Sequence, residues 1–294
     1  MKIAIIGGSG LYNIEGFKIK NEVAIETPFG KPSDKLIVGE INGTELVFLP
    51  RHNRDHNIMP SELNHRANIY ALKKFGIGTI FSISAVGSLQ ENIAPCDVVI
   101  PDQYFDRTKS KNHTFFGDGI VAHVPMAEPV CKELANIAED AVTLAVRQTQ
   151  SKIKVHRNGT YVNMEGPAFS TKAESNVYRQ LGMDIIGMTN MAEAKLAREA
   201  EICYTTIAMV TDYDCWHPDH DNVTVDLVIA NLLSNVAISQ NIIKNIVELT
   251  KNSTQLVCKC REALSCAIIT KEEAVTTDIR ERLAPIISKY FPMQ

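Results

Sequence analysis

The sequence predicts an α/β fold, a single domain in which a central β-sheet is flanked by helices. Strand-like and helix-like segments alternate along the 294 residues, which is typical of βαβ units. Residues 202–210 form a continuous apolar and β-branched run, the pattern of a strand that is buried on both faces. No repeat, low-complexity tract or linker interrupts the chain. We therefore expect one domain over residues 1–294, with a less clearly patterned helical region from about residue 252.

The predicted strands are apolar or β-branched runs that are bounded by turn residues. They cover residues 2–6, 35–41, 45–49, 79–84, 97–100, 159–165, 184–188 and 202–210. The second and third form a hairpin, because the Asn42-Gly43 pair between them is a strong two-residue turn. Several of these strands end on glycine or on polar residues, so the same end of the sheet is expected to carry polar groups.

The predicted helices combine apolar positions at helical spacing with recognisable ends. They cover residues 61–75, 128–147, 171–182, 192–200, 225–251 and 279–290. Ser61, which follows Pro60, is the expected N-cap of the first helix, and Thr171 with Glu174 forms a capping box that begins the third. Residues 102–124 lack a clear period and predict a long loop, a type of segment that is usually functional or mobile.

Composition argues against several classes of protein. A formal net charge of −4 and the lack of a Lys/Arg-rich run give no basis for nucleic-acid binding. The N-terminal apolar run is too short for a signal peptide, and no apolar segment approaches the roughly 20 residues that cross a bilayer. Seven cysteines are too sparse for a disulfide scaffold and lack the C-x-x-C spacing of a zinc site. We expect a reduced, cytoplasmic protein with no membrane partner.

Polar side chains at the predicted strand ends divide into two chemical sets. Asp212 and Asp214 follow the buried strand at positions i and i+2, which places them on one side of an extended segment, although acids are also common in plain loops. These two acids, with the aromatic Phe169, suit a nitrogen heterocycle that carries hydrogen-bond donors. The other set suits an oxyanion such as phosphate; it comprises Ser9, Arg51, His52, Ser84, Ala85 and Thr189.

A family resemblance covers most of the chain. The segments GGSGLY, TPFGKPSD, RHNRDHNIMPSELNHRANIYALK, EGPAFSTKAES and GMTNMAEAKLAREAEICYTTIAMVTDYDCW occur in this order. Their succession, from about Ile3 to about Val228, closely resembles the 5′-methylthioadenosine phosphorylases of the trimeric purine nucleoside phosphorylase superfamily, whereas the C-terminal part is similar more loosely. The resemblance implies a single nucleoside phosphorylase domain with a mixed central sheet.

The resemblance also implies a reaction and a set of binding residues. The purine on C1′ of 5′-deoxy-5′-methylthioadenosine is replaced by inorganic phosphate, a co-substrate, in purine and methionine salvage; no metal or organic cofactor is needed, and the protein is a homo-oligomer, most simply a trimer. Carried over by position, the phosphate ligands are Ser9, Arg51, His52, Ser84, the Ala85 amide and Thr189. The nucleoside ligands are His56, Phe169, Met188, Asp212, Asp214 and Val225, together with His123 from a neighbouring subunit. Asp212 and Asp214 are the catalytic acids.

Three rival functions remain open at this point. Relatives that act on 6-oxopurine nucleosides, such as methylthioinosine, inosine or guanosine, commonly have Asn in place of Asp212 and His near Val225, so both positions favour methylthioadenosine. A hydrolase would not need the oxyanion set around Arg51. A nucleoside-binding protein without activity would need only the purine half of the site.

The Cys258-Lys259-Cys260 segment resembles a C-x-C pair that forms a strained disulfide in archaeal members of this family. Two reduced thiols are an equally good interpretation of these residues. A bridge of this kind closes a very small ring, so it would be easily reduced rather than strongly stabilising.

Overall fold

The computed structural model describes residues 1–8, 11, 14–110, 113–218, 225–252 and 256–292, except the side chains of residues 225–230, 232–235 and 237. Within these ranges the strands are β1 (Ile3–Gly7), β2 (Lys18–Val23), β3 (Leu36–Ile41), β4 (Thr44–Pro50), β5 (Thr79–Ser88), β6 (Val98–Ile100), β7 (Gln103–Asp106), β8 (Val155–Arg157), β9 (Thr160–Asn163), β10 (Ile185–Gly187) and β11 (Cys203–Asp212). The α-helices are α1 (His65–Lys74), α2 (Lys132–Thr149), α3 (Lys172–Gln180), α4 (Asn190–Glu199), α5 (Val225–Thr250), α6 (Thr277–Arg282) and α7 (Ala284–Ile287).

All eleven described strands belong to one mixed sheet, as the family resemblance implied. The main path runs β2-β3-β4-β1-β5-β10-β9-β7, and β11, β6 and β8 branch from β5. Strand β1 is parallel to both β4 and β5, and β5 is parallel to β11. Strand β10 pairs with the far end of β5 in the antiparallel sense. The long strand β5 therefore joins both parts of the sheet at its centre.

Two hydrophobic layers cover the sheet. On one face, α2 and α5 contribute Leu134, Ala138, Ile242 and Ile246 to a core with the side chains of β1 and β11. On the other face, α1, α4 and α7 form a second core. The C-terminal segment packs into this second core through residues such as Leu283 and Ile287. Among the described helices, none combines the length and apolar composition that crossing a bilayer requires.

Several predicted boundaries are wrong for identifiable reasons. A 3₁₀ turn at Pro60–Glu62 precedes α1, and Asn64 rather than Ser61 is its N-cap, since the Asn64 side chain accepts from the Ala67 amide. The predicted helix over residues 279–290 divides into α6 and α7, because Pro285 has no N–H to continue the first helix. The predicted loop over residues 102–124 begins with β7, which pairs in parallel with β9.

Candidate active site

A cavity of about 580 Å³ opens at the carboxyl ends of the central strands. Ligands in open α/β sheets bind at this edge, because polar loop ends and helix N-termini meet there. Ten of the residues that the sequence singled out line it: Arg51, His52, His56, Ser84, Ala85, Phe169, Met188, Thr189, Asp212 and Asp214. The fold thus gathers the oxyanion set and the heterocycle set around one space.

Three of the predicted site residues do not appear among the lining side chains. Ser9 lies outside the described residues, and Val225 begins α5 but its side chain lies outside them as well. His123 is exposed on the surface and does not line the cavity of a single chain. Its expected arrival from a neighbouring subunit stays a prediction.

Arg51 is held in one orientation by a buried network. Its side chain is only 2% exposed, and Nε donates to Glu193 Oε1 over 2.7 Å. Nη1 donates to the Ile83 carbonyl oxygen over 3.0 Å, and Nη2 donates to Ser82 Oγ over 2.6 Å. These bonds use three of the five guanidinium N–H groups. A solvated loop arginine would not be buried and fixed in this way.

Glu193, which sequence patterns do not single out, is the partner that fixes Arg51. Its Oε2 also accepts hydrogen bonds from Ser82 Oγ at 2.6 Å and from the Tyr204 hydroxyl at 2.8 Å. Burial by itself would raise the pKa of Glu193, but the adjacent Arg51 charge and hydrogen bond outweigh it and hold that pKa below its usual value. Glu193 therefore stays ionised. The clue in the sequence was its place on the apolar, core-facing side of α4.

The oxyanion half of the cavity carries several neutral donors beside Arg51. Thr189 precedes α4, so the N-terminus of this ten-residue helix points positive partial charge toward the same space. Ser84 Oγ is buried and makes no hydrogen bond of acceptable geometry with the described residues, although the Tyr161 hydroxyl is near it. A buried hydroxyl of this kind gains free energy when a ligand supplies its partner.

His52 completes the oxyanion half as a neutral imidazole. Burial and then the nearby Arg51 charge lower the pKa of His52 to about 4. Its Nδ1 lies 2.9 Å from the Ile58 carbonyl oxygen, which can only accept, so Nδ1 carries the proton. Nε2 is then left as an acceptor, which suits the P–OH group of a hydrogen phosphate dianion.

The heterocycle half begins where β11 ends. All ten residues of β11 are buried, and its pairing with β5 is irregular between Val210 and Asp212, where Thr211 is the extra residue. Such a bulge redirects the side chains that follow it. Asp212 comes to lie opposite Gly87, and a Cβ on Gly87 would be only 2.8 Å from Asp212 Oδ1. Glycine at position 87 is therefore required for this placement of the carboxyl group.

Asp212 has an environment that favours its protonated form. Asp212 is 6% exposed. Burial, and to a smaller extent the nearby Asp214 charge, raises its pKa to about 6. Hydrogen bonds from Thr211 and from the Asp214 amide lower the pKa but do not outweigh burial. Thr211 Oγ1 lies 2.8 Å from Asp212 Oδ2 and 3.2 Å from the Val86 carbonyl oxygen. One hydroxyl proton cannot serve both acceptors well. Until a base offers it another acceptor, a proton on Asp212 Oδ2 resolves this, because it donates to Thr211 while Thr211 donates to Val86.

Asp214 presents an oxygen that is not committed to the chain. Its Oδ2 is buried and forms no hydrogen bond of acceptable geometry with the described residues, although Ser170 and Ser175 are near. Burial raises the pKa of Asp214 as well. Its backbone has a left-handed φ of 51°, a conformation that Asp and Asn tolerate better than most residues. The Asp212–Asp214 pair therefore offers one acidic proton and one uncommitted oxygen.

Between the two polar halves, the cavity wall is apolar. Met188 lies against Gly166, where a Cβ would approach its sulfur to 2.5 Å. Phe169 is 44% exposed, so a face of the ring is accessible to a planar ligand. Helix α5 adds Val236 and Ser239 to the wall. This apolar middle suits a sugar and the flat face of a base.

A second, smaller cavity of about 250 Å³ lies next to the first and shares Met188 with it. Its lining is polar and includes His65, His113 and Glu165. One Glu165 oxygen accepts from the Lys109 amide, so this acid has a structural partner at the cavity edge. Its position at the edge is compatible with a structural acid and with a ribose ligand.

Comparisons with known proteins agree over the full length of the chain. Residues 2–248 match the family described as the phosphorylase superfamily. The S-methyl-5′-thioadenosine phosphorylase of Geobacter sulfurreducens is 51% identical over 289 residues, which cover 98% of each protein. The similarity therefore includes most of the C-terminal region that sequence patterns define less well.

Solved structures extend the agreement to three dimensions. A methylthioadenosine phosphorylase from an antarctic soil metagenomic library superimposes with a TM-score of 0.91 at 51% identity, covering 97% of this chain and 98% of that one. The methylthioadenosine phosphorylase of Schistosoma mansoni, solved in complex with adenine, gives a TM-score of 0.80 at 34% identity and 98% coverage of each chain. The resemblance inferred from sequence segments is confirmed.

Proposed function

This chain belongs to the phosphorylase superfamily, and from that membership we propose that it catalyses the phosphorolysis of 5′-deoxy-5′-methylthioadenosine. The products are adenine and 5-methylthio-α-D-ribose 1-phosphate. The observation that carries the proposal is the division of one cavity into an oxyanion half around Arg51 and a half that carries Asp212 and Asp214. Phosphorolysis of a nucleoside needs both halves, and it needs no organic cofactor.

The oxyanion half binds the nucleophile. Cleavage of the N-glycosidic bond creates positive charge on the ribose, and a phosphate dianion fixed on one face of the ring stabilises that charge and attacks C1′. Arg51 supplies the permanent charge, while Ser84, Thr189 and the Ala85 amide supply neutral hydrogen bonds. Because Glu193 and Ser82 hold Arg51 beforehand, little reorganisation is needed when phosphate binds.

The heterocycle half stabilises the leaving group. Negative charge develops on the purine as the bond to C1′ breaks, and a proton donated to N7 neutralises it. Because burial raises its pKa to about 6, Asp212 is protonated in a larger fraction of molecules near neutral pH than an ordinary aspartate and can supply such a proton. Asp214 Oδ2 accepts from the 6-amino group. Phe169 stacks on the base, and Met188 lies beneath the ribose.

A 6-oxopurine nucleoside is the less favoured substrate. Its 6-oxo group is an acceptor and would face the Asp214 carboxylate with no donor between them. A buried mismatch of this kind costs about 1–3 kcal/mol, and more when one group is charged. The relatives described above are phosphorylases of methylthioadenosine.

The decisive assay measures base release with and without phosphate, using methylthioadenosine and inosine in parallel. We expect adenine and the sugar phosphate in equal amounts, only when phosphate is present, and much slower turnover of inosine. Adenine release that continues unchanged in phosphate-free buffer would indicate a hydrolase. Tight binding of methylthioadenosine without product would indicate a binding protein.

We further propose that the protein works as a homotrimer in the cytoplasm. In a trimer, His123 of a neighbouring subunit reaches the methylthio end of the nucleoside, which explains why it does not line the cavity of its own chain. The family resemblance supports the trimer and the role of His123, and the sparse cysteines support the cytoplasmic location.

A further inference from the structure

Four cysteines from three separate segments meet at the opposite end of β11 from the active site. Cys131 precedes α2, Cys203 begins β11, and Cys258 and Cys260 flank Lys259 in the C-terminal segment. All four sulfur atoms lie within 4.8 Å of one another. Within the described residues, this is the one group of three or more His, Cys, Asp or Glu side chains at metal-binding distances.

We infer that this four-cysteine cluster is a structural Zn²⁺ site. Zn²⁺ in structural sites takes four thiolates in a tetrahedron with Zn–S distances of about 2.3 Å, which places the sulfurs about 3.8 Å apart. The cluster already has this compactness, with the Cys203 and Cys258 sulfurs at 3.1 Å and the others within 4.8 Å. A shift of a few tenths of an ångström per sulfur admits the ion.

The surroundings of the cluster exclude water and favour a closed site. Cys131, Cys203 and Cys260 are 2%, 0% and 6% exposed, and Cys258 packs against the same core at its edge. Four thiols are a soft ligand set with no position left for a substrate, which is the composition of a structural rather than a catalytic zinc site. Zn²⁺ replaces four thiol protons and leaves the site with a net charge of −2. The guanidinium of Arg198 acts electrostatically on Cys260 and partly balances that charge.

The site would fasten the C-terminal segment to the rest of the domain. The Cys131 amide donates to the Tyr204 carbonyl oxygen, and Arg261 Nη2 donates to the Gly78 carbonyl oxygen beside the start of β11. One ion therefore joins the beginning of α2, the beginning of β11 and the C-terminal segment. Asp212 lies nine positions after Cys203 on an extended strand, about 30 Å away at 3.3 Å per residue. Metal binding should affect stability and leave the chemistry unchanged.

Spacing alone did not reveal this site, because the ligands are not arranged as two C-x-x-C pairs. The C-x-C pair supplies two ligands, and the other two come from positions 131 and 203, which only the fold brings near. All four cysteines are free thiols in the structure, so the C-x-C bridge suggested by the family resemblance is not formed. A disulfide between any two of the four would exclude the four-thiolate site, and this makes the two interpretations separable.

The test is the metal content of the untagged, full-length protein expressed with zinc in the medium and dialysed against metal-free buffer. Elemental analysis by mass spectrometry should find about one zinc per chain. Cys203→Ser and Cys260→Ser should lose the zinc and lower the thermal midpoint, with kcat/KM for methylthioadenosine unchanged below that midpoint. Cys266→Ser is the matched control, because Cys266 is exposed and outside the cluster, and it should retain the metal.

Wild-type protein alone decides the matter if the variants fail to fold. Titration with an organomercurial in the presence of a chelating dye should release zinc in step with modification of four thiols. Protein without zinc, or with stoichiometric iron instead, would overturn the inference. A protein mass, measured without reductant, that is lower by two hydrogens per bridge would also overturn the inference, because it identifies disulfides among these cysteines. The metal content, the thiol titration and the mass do not depend on the proposed substrate, so their outcome can be separated from a failure of the proposed function.

Discussion

At the scale of single residues, we propose that the polarity of hydrogen bonds at Asp212 and Asp214 determines which base is accepted. Adenine offers an amino donor at C6 and an acceptor at N7, which match an acceptor oxygen and an acidic proton. Asp212 provides the proton because burial raises its pKa, and Asp214 provides the buried oxygen without a partner of good geometry. In this proposal the two acids have different roles, which the sequence did not distinguish.

Asp212→Asn should reverse part of the base preference. The Asn side chain can turn its NH₂ group toward a 6-oxo acceptor, but it cannot donate an acidic proton to N7. We expect kcat/KM for methylthioadenosine to fall and the ratio of methylthioinosine to methylthioadenosine activity to rise by roughly tenfold to several hundredfold. The measurement is kcat/KM for both nucleosides at saturating phosphate.

Asp214→Asn is the matched control for that variant. Asn tolerates the left-handed backbone at position 214, so the substitution tests the side chain rather than the turn. It should lower activity on the 6-amino substrate without a comparable gain on the 6-oxo substrate. An unchanged preference in Asp212→Asn would mean that these carboxyl groups do not read the base.

The raised pKa of Asp212 also makes a pH-dependent contribution to stability. Its carboxyl group has a pKa of about 6 in the folded chain against 3.8 as the reference value. The folded state therefore binds the Asp212 proton more tightly than the unfolded state does. Below the unfolded pKa this group does not lower the free energy of unfolding. Its destabilising contribution grows as pH rises and reaches its full size above pH 6. As pH rises from 5 to 7.5, the free energy of unfolding of Asp212→Asn should increase by on the order of 1 kcal/mol relative to that of wild type.

Urea unfolding at fixed protein concentration in phosphate-free buffer measures this difference. The Asn variant has no titrating group at position 212, so its stability curve should lack the loss that wild type shows over this range. If the difference between the two proteins is the same at both pH values, Asp212 does not titrate as its buried position implies.

The Arg51–Glu193 pair predicts a distinctive response to phosphate. Glu193→Gln leaves the Arg51 charge buried without its counterion, and breaking a buried pair typically costs about 3–5 kcal/mol. Bound phosphate restores a negative charge beside Arg51. Phosphate should therefore raise the thermal midpoint of Glu193→Gln by more than it raises that of wild type.

Glu199→Gln is the control for the Glu193 variant. Glu199 is a buried acid at the other end of the same helix and accepts from Thr114 Oγ1 and the Phe115 amide, away from the cavity. In Glu199→Gln, phosphate should raise the thermal midpoint by the same amount as in wild type. If phosphate raises the thermal midpoint equally in wild type, Glu193→Gln and Glu199→Gln, then Glu193 does not compensate the charge of Arg51.

At the scale of secondary-structure elements, the bulge between β5 and β11 places the acids, and Gly87 makes room for it. In Gly87→Ala the new Cβ would meet Asp212 Oδ1 at 2.8 Å and Ile186 Cγ2 at 3.1 Å, so the carboxyl group must move. We expect kcat/KM for methylthioadenosine to fall by more than tenfold while the KM for phosphate stays the same, because the oxyanion half is not displaced.

Ile80→Val in the same strand separates a local displacement from a general loss of stability. Ile80 is buried in β5 away from the cavity, and its replacement typically costs about 0.5–1.5 kcal/mol of stability. Its kinetic constants should match those of wild type. An active Gly87→Ala enzyme with normal base preference would show that the bulge tolerates a methyl group and does not fix Asp212.

The sequence predicted those elements whose own residues determine them. Continuous apolar character identified most of β11, and the Thr171–Glu174 capping box begins α3 as expected, with Thr171 Oγ1 accepting from the Glu174 amide. Strand β2 was missed because its side chains are mostly exposed and polar, so pairing with β3 is the main force that orders it. Strand β7 was missed because four half-buried residues show no useful period.

The residues of the site also divide into those that local sequence identifies and those that only the fold brings together. Residues at strand ends were found because parallel strands bring their carboxyl ends together, and the family resemblance then assigned them roles. Glu193 was not found, since its partner Arg51 lies 142 positions away and only the fold brings them together. Thr211 and Gly87 were not identified because a bulge depends on the register of two distant strands.

At the scale of the whole molecule, one surface region next to His123 has the features of a subunit contact. Ala122 and Ile268 form an antiparallel bridge, and the Ile269 amide donates to the Val121 carbonyl oxygen. Val121 is 43% exposed and Ile269 is 65% exposed, so two large apolar side chains face outward beside the histidine that the family resemblance assigns to a neighbour's site. Contact with a second subunit would remove this apolar surface from water.

Wild-type protein should therefore sediment as a trimer, with three times the 32.6 kDa mass of the chain. Ile269→Asp places a charge in the proposed contact, and burial of an unpaired charge opposes association. We expect this variant to dissociate at assay concentration and to lose affinity for methylthioadenosine, because each site then lacks the neighbouring His123. Ile19→Asp, on the exposed strand β2, is the matched control and should remain a trimer. Full activity of a sedimenting monomer would contradict both the oligomer and the role of His123.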